Sequence, residues 1–141
     1  MANQEQLDIL KQGVEVWNKW RKEHPEMQPD FSGANLRESD LSKADFRSAN
    51  FHKANLTKTN LSRANLSSAN LSEASLGKAD LTRANLAEAD LNKANLKSSN
   101  MTKVDLTKAI MTETDLGRAI LTEANLSEAN ITGCFIYAIS A

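Results

Sequence analysis

Between Ala54 and Lys78 the chain reads ANLTK, TNLSR, ANLSS, ANLSE, ASLGK, and this unit of five residues decides the fold. The third place of the unit is called position i here, and the other places are numbered from it. From residue 31 onward an apolar residue occupies position i twenty-two times without a gap. Position i−2 is alanine in fifteen of the twenty units between residues 34 and 129, and position i−1 is mostly Asn or Asp. The apolar series is Phe31, Leu36, Leu41, Phe46, Phe51, Leu56, Leu61, Leu66, Leu71, Leu76, Leu81, Leu86, Leu91, Leu96, Met101, Leu106, Met111, Leu116, Leu121, Leu126, Ile131 and Ile136.

A period of five residues fits neither standard element of secondary structure. In an α-helix, five residues rotate by about 500°, so the leucines would spread around the whole helix. In a flat strand, side chains alternate between two faces, so an odd period would place successive leucines on opposite sides. The chain must therefore turn once per unit, with positions i−2 and i inside and alanine at the tight corner. Turns of one hand wind the chain into a solenoid, in which we expect the whole apolar series to be buried.

The array from Phe31 to Ile136 resembles the pentapeptide-repeat family, whose signature is A-[D/N]-L-x-x. Periodicity alone leaves open whether three, four or five units complete a turn. The resemblance implies four, and with them an all-β solenoid that forms a right-handed quadrilateral parallel β-helix. Twenty-two units then give about five and a half coils, and residues twenty apart stack above one another.

Residues 3–24 have a different pattern, with apolar side chains at helical spacing on one half of a helix and charged ones on the other. Asn3 followed by Gln6 resembles a capping box, and Pro25 ends the helix. The sequence therefore predicts one amphipathic helix. Its apolar half comprises Leu7, Ile9, Leu10, Val14, Val16, Trp17 and Trp20.

We interpret this helix as an N-terminal α-helix cap, because the end of a solenoid exposes unpaired backbone edges and core side chains. Trp17 and Trp20 are expected to pack on the first coil, near Phe31, Phe46 and Phe51. The predicted domains are residues 1–28, the amphipathic capping helix with its linker, and residues 29–141, the β-helix. A helix that binds a partner or a membrane surface is the alternative, although mixed Lys and Glu on the polar side disfavour the membrane.

Composition argues against several function classes. Lys and Arg number 17 against 18 Asp and Glu, so the chain lacks the basic footprint of a nucleic-acid-binding protein. The longest apolar run, from Cys134 to Ile139, is far shorter than the ~20 residues that span a bilayer. The N-terminus lacks the features of a signal peptide. We expect a cytoplasmic protein without membrane contact.

Residues for catalysis or for binding a cofactor are not evident in the sequence. Cys134 is the single cysteine, so no internal disulfide and no cysteine-based zinc site are expected. His24 and His52 have no nucleophile or ligand set at motif spacing. The expectation is a protein that is not an enzyme and has no cofactor or metal.

Stacking at twenty residues predicts columns of charged side chains on the outside. We interpret these columns as solvated surface, and the Asn or Asp at position i−1 as hydrogen-bonding the backbone at each turn. The three columns are Lys43, Arg63, Arg83, Lys103 and Glu123; Lys58, Lys78 and Arg118 around Ser98; and Lys53, Glu73, Lys93 and Glu113.

Departures from the repeat cluster in the last coil and a half. Ile110, Ile120 and Phe135 stand where Asn or Asp is usual, Tyr137 occupies position i+1, and Ile139 occupies position i−2. One interpretation is a C-terminal cap that closes the core, and the other is a candidate interface, since clustered exposed apolar side chains mark contact surfaces. The chain also resembles the N-terminal part of larger bacterial pentapeptide-repeat proteins, so this end would contact a second copy in a homodimer, another protein, or a missing C-terminal domain.

The function predicted from the sequence is a rigid, non-catalytic scaffold or protein-interaction module whose partner is unnamed. The alternative comes from members of the family that resemble duplex DNA and bind DNA gyrase. Such mimicry needs a strongly negative surface. From residue 31 onward there are thirteen Lys and Arg against twelve Asp and Glu, which disfavours this alternative.

Overall fold

The computed structural model describes residues 1–140. From Asp30 onward the chain forms parallel β-bridges between residues exactly one coil apart, the first joining Asp30 to Asn50 and the last joining Ile120 to Ser140. The offset is twenty residues throughout, so one turn contains four pentads and the cross-section is a square. The predicted fold is confirmed: a right-handed quadrilateral parallel β-helix that follows an N-terminal helical segment.

Each side of the square is a face, named by the pentads that stack along it. The first face contains the pentads of Phe31, Phe51, Leu71, Leu91, Met111 and Ile131. The second contains those of Leu36, Leu56, Leu76, Leu96, Leu116 and Ile136. The third contains those of Leu41, Leu61, Leu81, Met101 and Leu121. The fourth contains those of Phe46, Leu66, Leu86, Leu106 and Leu126.

Every pentad repeats one local conformation, a single bridged residue followed by a turn. Within residues 1–140 no strand is longer than this one residue, which stands at position i−1. In the turn, the amide at i+3 donates to the carbonyl at i, as Ala64 does to Leu61 (3.0 Å). The residue at i+2 has φ near +58°, as in Arg63, and this left-handed conformation is characteristic of the third residue of a type II turn. Lys, Arg, Glu and Ser adopt it here without glycine, because the amide at i+2 also bonds the next coil (Arg63 to Thr82, 2.9 Å).

The interior consists of the side chains at positions i and i−2. Leu71 and Leu91 are fully buried, as predicted, and the alanines between them are at most 1% exposed. Thr59 and Thr114 replace alanine inside, and each hydroxyl donates to a carbonyl of the coil before (Leu36, 2.8 Å; Leu91, 2.7 Å). Satisfying these hydroxyls matters, because a buried polar group without a partner is destabilising.

The prediction that the whole apolar series is buried is wrong at the C-terminal end. Leu126, Ile131 and Ile136 are 37%, 47% and 52% exposed, whereas Leu121 is still buried. The reason is geometric, because no coil lies above these three side chains within residues 1–140.

The Asn and Asp side chains at position i−1 hydrogen-bond the backbone, as predicted. Asn60 Oδ1 accepts from the Ser62 amide (3.0 Å) and from the Ser62 hydroxyl (2.7 Å). The same pair of bonds, from the Ser42 hydroxyl and amide, holds the pKa of Asp40 below its usual value. This column therefore fixes the turns and is not available as a ligand set.

The N-terminal segment forms two helices, α1 (Gln4–Lys11) and α2 (Val14–Glu23), and not the single helix predicted. The break falls at Gly13, whose φ of 118° is outside the helical range. As a result Val16 points outward and is 40% exposed, contrary to the predicted apolar side of the helix. The break lets α2 place Trp17, which is fully buried, against the first coil.

The capping box at the start of α1 is half confirmed. Asn3 Oδ1 accepts from the Gln6 amide (3.1 Å). The Gln6 side chain, however, accepts from the Asp30 amide (2.8 Å), and the Asn3 amide donates to the Asp30 carbonyl (2.8 Å). These bonds join α1 directly to the start of the first coil.

Replacing one leucine by alanine should have a different effect inside the stack and at its open end. Leu71→Ala leaves a cavity among fully buried neighbours, so we expect it to lower the free energy of unfolding by about 2–5 kcal/mol. Leu126→Ala occupies the same repeat position but is partly exposed, so we expect a loss of about 1 kcal/mol or less. Urea denaturation followed by circular dichroism measures both. Equal losses would contradict the assignment of the open end.

Candidate functional site

The two ends of the coil stack differ in how they are covered. At the start, Trp17 Nε1 donates to the Asp45 carbonyl (2.8 Å), and the indole ring lies 5.2 Å from the Phe31 ring and 5.9 Å from the Phe46 ring, centroid to centroid. Among residues 1–140, the rings that pair with Trp20 are those of Trp17 and His24 and not these phenylalanines. Trp20 stacks on Trp17 with a centroid distance of 5.1 Å. The cap role of Trp17 and Trp20 stays a prediction, and Trp17 is the one that lies on the first coil.

Two polar side chains, one of them buried, connect α2 to the same coil, and sequence reasoning missed both. Asn18 donates to the Lys43 carbonyl (3.1 Å) and accepts from the Asp45 amide (2.8 Å). Arg21 is 2% exposed and donates to three carbonyls, those of His24, Met27 and Arg47. Burial lowers the pKa of this guanidinium. The surrounding pattern of exposed Lys and Glu carries no signal that would distinguish these two residues.

In the part of the chain that the structure describes, the last coil has no cover comparable to the N-terminal helices. Along the stack, the amide at position i donates to a carbonyl of the next coil, as in Leu116 to Phe135 (2.9 Å). Within residues 1–140 the equivalent amides of Leu126, Ile131 and Ile136 have no partner. This end therefore combines unpaired amides with exposed apolar side chains, and both favour association with another surface.

The structure spreads the five candidate interface residues over three faces of the last coils. Ile110 lies on the first face and Ile120 on the third, 45% and 38% exposed. Phe135 and Tyr137 lie on the second face, 58% and 46% exposed, and Ile139 is 37% exposed. Together with the side chains at position i they surround the C-terminal end on three faces, and they do not form one flat patch.

The Tyr137 side chain packs against defined neighbours on the second face. Its ring lies over Gly117, one coil below, where any Cβ would overlap the phenol. The Lys97 ammonium, two coils below, lies 5.8 Å from the ring centroid. The Arg118 amide donates to the Tyr137 carbonyl (2.8 Å), which anchors the backbone. Glycine at 117 is therefore what allows the tyrosine to lie along the face.

Cys134 replaces alanine at position i−2 in the last coil. Its thiol donates to the Met111 carbonyl (2.9 Å), as the buried threonines do lower in the stack. Burial raises the pKa of this thiol, so the group is protonated at neutral pH.

Twenty-residue stacking brings His52 beside Ser72, a pair that motif spacing did not reveal. His52 Nδ1 lies 2.8 Å from Ser72 Oγ, while the Ser72 hydroxyl donates to Asn70 Oδ1 (2.6 Å). A general base must accept the proton of the nucleophile. Here the Ser72 hydroxyl donates to Asn70, so the pair is not arranged for nucleophilic attack.

Within residues 1–140, no group of three or more His, Cys, Asp or Glu side chains is placed to hold a metal ion. Neither α1 nor α2 has the length and apolar character that crossing a membrane requires.

Comparison with known proteins accords with this geometry. The chain matches the family described as Pentapeptide repeats, in eight copies over residues 30–63, 64–102 and 99–135. The chain belongs to the pentapeptide repeat family.

Solved pentapeptide repeat proteins share the fold. One from the cyanobacterium Cyanothece 51142 is 26% identical, with 87% of this chain and 96% of that chain covered and a TM-score of 0.78. Another, from the Arabidopsis thaliana thylakoid lumen, is 35% identical, with 70% and 66% covered and a TM-score of 0.57. No curated protein matches the chain.

The two tryptophans should contribute unequally to the stability of this pentapeptide repeat protein. Trp17→Ala removes a fully buried ring and a hydrogen bond to the first coil, so we expect a loss of about 3–5 kcal/mol in the free energy of unfolding. Trp20→Ala, which removes a partly exposed ring, should lower it by roughly 1–2 kcal/mol. Urea denaturation of both variants gives the comparison. A Trp17→Ala protein as stable as the wild type would refute the cap.

Proposed function

We propose that this pentapeptide repeat protein is a non-catalytic scaffold, and that its C-terminal end is a protein-interaction surface occupied by a second copy of the chain. The observation that carries the proposal is the last coil of residues 1–140. There the position-i amides of Leu126, Ile131 and Ile136 have no partner within those residues, and the same three side chains are exposed beside Phe135.

The chemistry of the repeat supports a scaffold. Inward positions are filled by aliphatic side chains, and the Asn and Asp side chains are occupied by turn hydrogen bonds, as at Asn60. The one histidine–serine pair, His52 with Ser72, has its hydroxyl proton directed away from the histidine. What remains for function is a rigid set of outer faces and the two ends.

Association of two copies through the C-terminal end would bury the apolar side chains that are exposed there. Phe135 and Ile136 are each more than half exposed. The backbone of their pentad is hydrogen-bonded to the coil below, for example from the Phe135 amide to the Thr114 carbonyl (3.0 Å). The apolar side chains are therefore presented on a fixed backbone, which lowers the entropy lost on binding. A further domain or another protein at this end are the competing occupants.

Mimicry of DNA has less support. The repeat carries nearly balanced charge, thirteen Lys and Arg against twelve Asp and Glu from residue 31 onward. A duplex-like surface would need an excess of negative charge along its length.

The homodimer is tested by light scattering at micromolar concentration. We expect the wild-type chain to have twice the monomer mass, and Phe135→Asp combined with Tyr137→Asp to restore the monomer, because both changes place charge in an apolar contact. Circular dichroism should be unchanged in the variant, since both side chains are exposed.

The control is Val16→Asp, which changes an exposed apolar residue in α2 at the other end. It should leave the dimer intact. A wild-type chain that is monomeric at this concentration, or a dimer that survives the double substitution, would rule out association through the C-terminal end.

A further inference from the structure

The second face contains a groove lined by positive charge, on the side of the rod and not at its end. The groove has a volume of about 450 Å³. Its floor includes Gly77, which stands at position i+1 and contributes no side chain. Its walls carry five cationic side chains, namely Arg37, Lys58, Lys78, Lys97 and Arg118.

The charge of this face is unusual within the molecule. Its five cations stand against two carboxylates, Glu38 and Asp115, for a net charge of +3. On the third face four cations stand against three carboxylates, and on the first and fourth faces carboxylates outnumber Lys and Arg by four to two. An overall charge near zero therefore hides one strongly basic face.

Most of these cations are not neutralised by the chain itself. Glu38 pairs with Arg37 (3.4 Å) and with Lys58 (3.7 Å). Within residues 1–140, Lys78, Lys97 and Arg118 form no salt bridge. The Asp115 carboxylate accepts from the Gly117 amide (2.9 Å) as part of its turn.

We propose that this groove is a docking site for an acidic segment of a partner protein, bound in an extended conformation along the rod. From Arg37 to Arg118 the lining crosses four coil spacings, about 19 Å at ~4.8 Å each. That length matches about six residues of extended chain, at ~3.3 Å per residue. The absence of a side chain at Gly77 leaves room for the peptide backbone between the cationic walls.

The surroundings favour a peptide over a nucleic acid. The basic strip is one pentad wide, and the first face beside it is net negative, so a duplex wider than the strip would meet carboxylates. None of the residues that line the groove is aromatic, whereas a bound single strand of nucleic acid stacks its bases on aromatic rings.

This proposal extends the scaffold role proposed above, and it is tested separately from self-association because Phe135 and Tyr137 are left unchanged. The probe is a fluorescein-labelled octapeptide with glutamate at alternate positions, titrated in fluorescence anisotropy. We expect saturable binding that weakens with added salt. Lys78→Gln with Arg118→Gln should weaken it about tenfold or more, because both cations lie in the groove.

Two matched controls separate a specific site from general electrostatics. Arg63→Gln with Arg83→Gln removes the same charge from the third face and should retain affinity within about threefold. Gly77→Gln fills the groove without changing charge, and its Cβ would meet only the Lys97 carbonyl, at 3.7 Å, so the variant should fold and bind more weakly. Ala87→Gln, at the same position of the fourth face, should bind like the wild type.

Three results would overturn the proposal. They are the absence of saturable binding, an equal loss of affinity for the third-face and second-face pairs, and tighter binding of an eight-nucleotide oligodeoxythymidylate than of the peptide. The last result would identify a nucleic acid as the occupant. Equal melting temperatures across the variants show that the affinities compare folded proteins.

Discussion

The twenty-residue register of hydrogen bonds between coils is the constraint on which the rest of the structure depends. In an interior pentad the amides at i−2, i−1, i and i+2 all donate to backbone carbonyls, and three of these bonds lead to the coil above or below. For example, the Leu71 amide donates to Asp90 (2.7 Å) and the Asn70 amide to Ala49 (2.9 Å). Because the register never slips, every side chain stacks on the same repeat position of the next coil. The leucine core, the turn column of Asn and Asp, and the charged faces all follow from that stacking.

The same register makes the two ends of the rod the places where other interactions must act. At the start, α2 covers the first coil with Trp17, and Gln6 in α1 bonds the Asp30 amide. At the C-terminal end, Phe135 and Ile136 are exposed, and no coil lies above them within residues 1–140. The proposed homodimer would give the C-terminal end the cover that the helices give the N-terminal one.

Much of the fold could be predicted from the sequence, because a five-residue period excludes helix and flat strand and leaves a coil. The number of pentads per turn came from the family resemblance and not from the period. The left-handed conformation at i+2 could not be predicted, because glycine occupies this position only at Gly33 and Gly133. Elsewhere the conformation depends on the hydrogen bond of the i+2 amide to the next coil, which is a tertiary contact. The helix break at Gly13 was missed for a related reason, because the need to place Trp17 on the first coil is a tertiary constraint.

For the candidate surfaces, the sequence identified which residues depart from the repeat. The packing of Tyr137 on Gly117 and the basic groove on the second face could be recognised only in the structure.

Residue-resolved amide hydrogen exchange of the interior coils, from Leu56 to Leu116, tests the twenty-residue register of hydrogen bonds most directly. There the amide at i+1 has no backbone partner, because it donates to an Asn or Asp side chain, as Ser62 does to Asn60, or, as at Gly77, has no protein acceptor. The account predicts protection with a period of five residues, in which every i+1 amide exchanges about a hundredfold or more faster than the four others of its pentad. Uniform protection, or protection that alternates every second residue as in an ordinary edge strand, would contradict it.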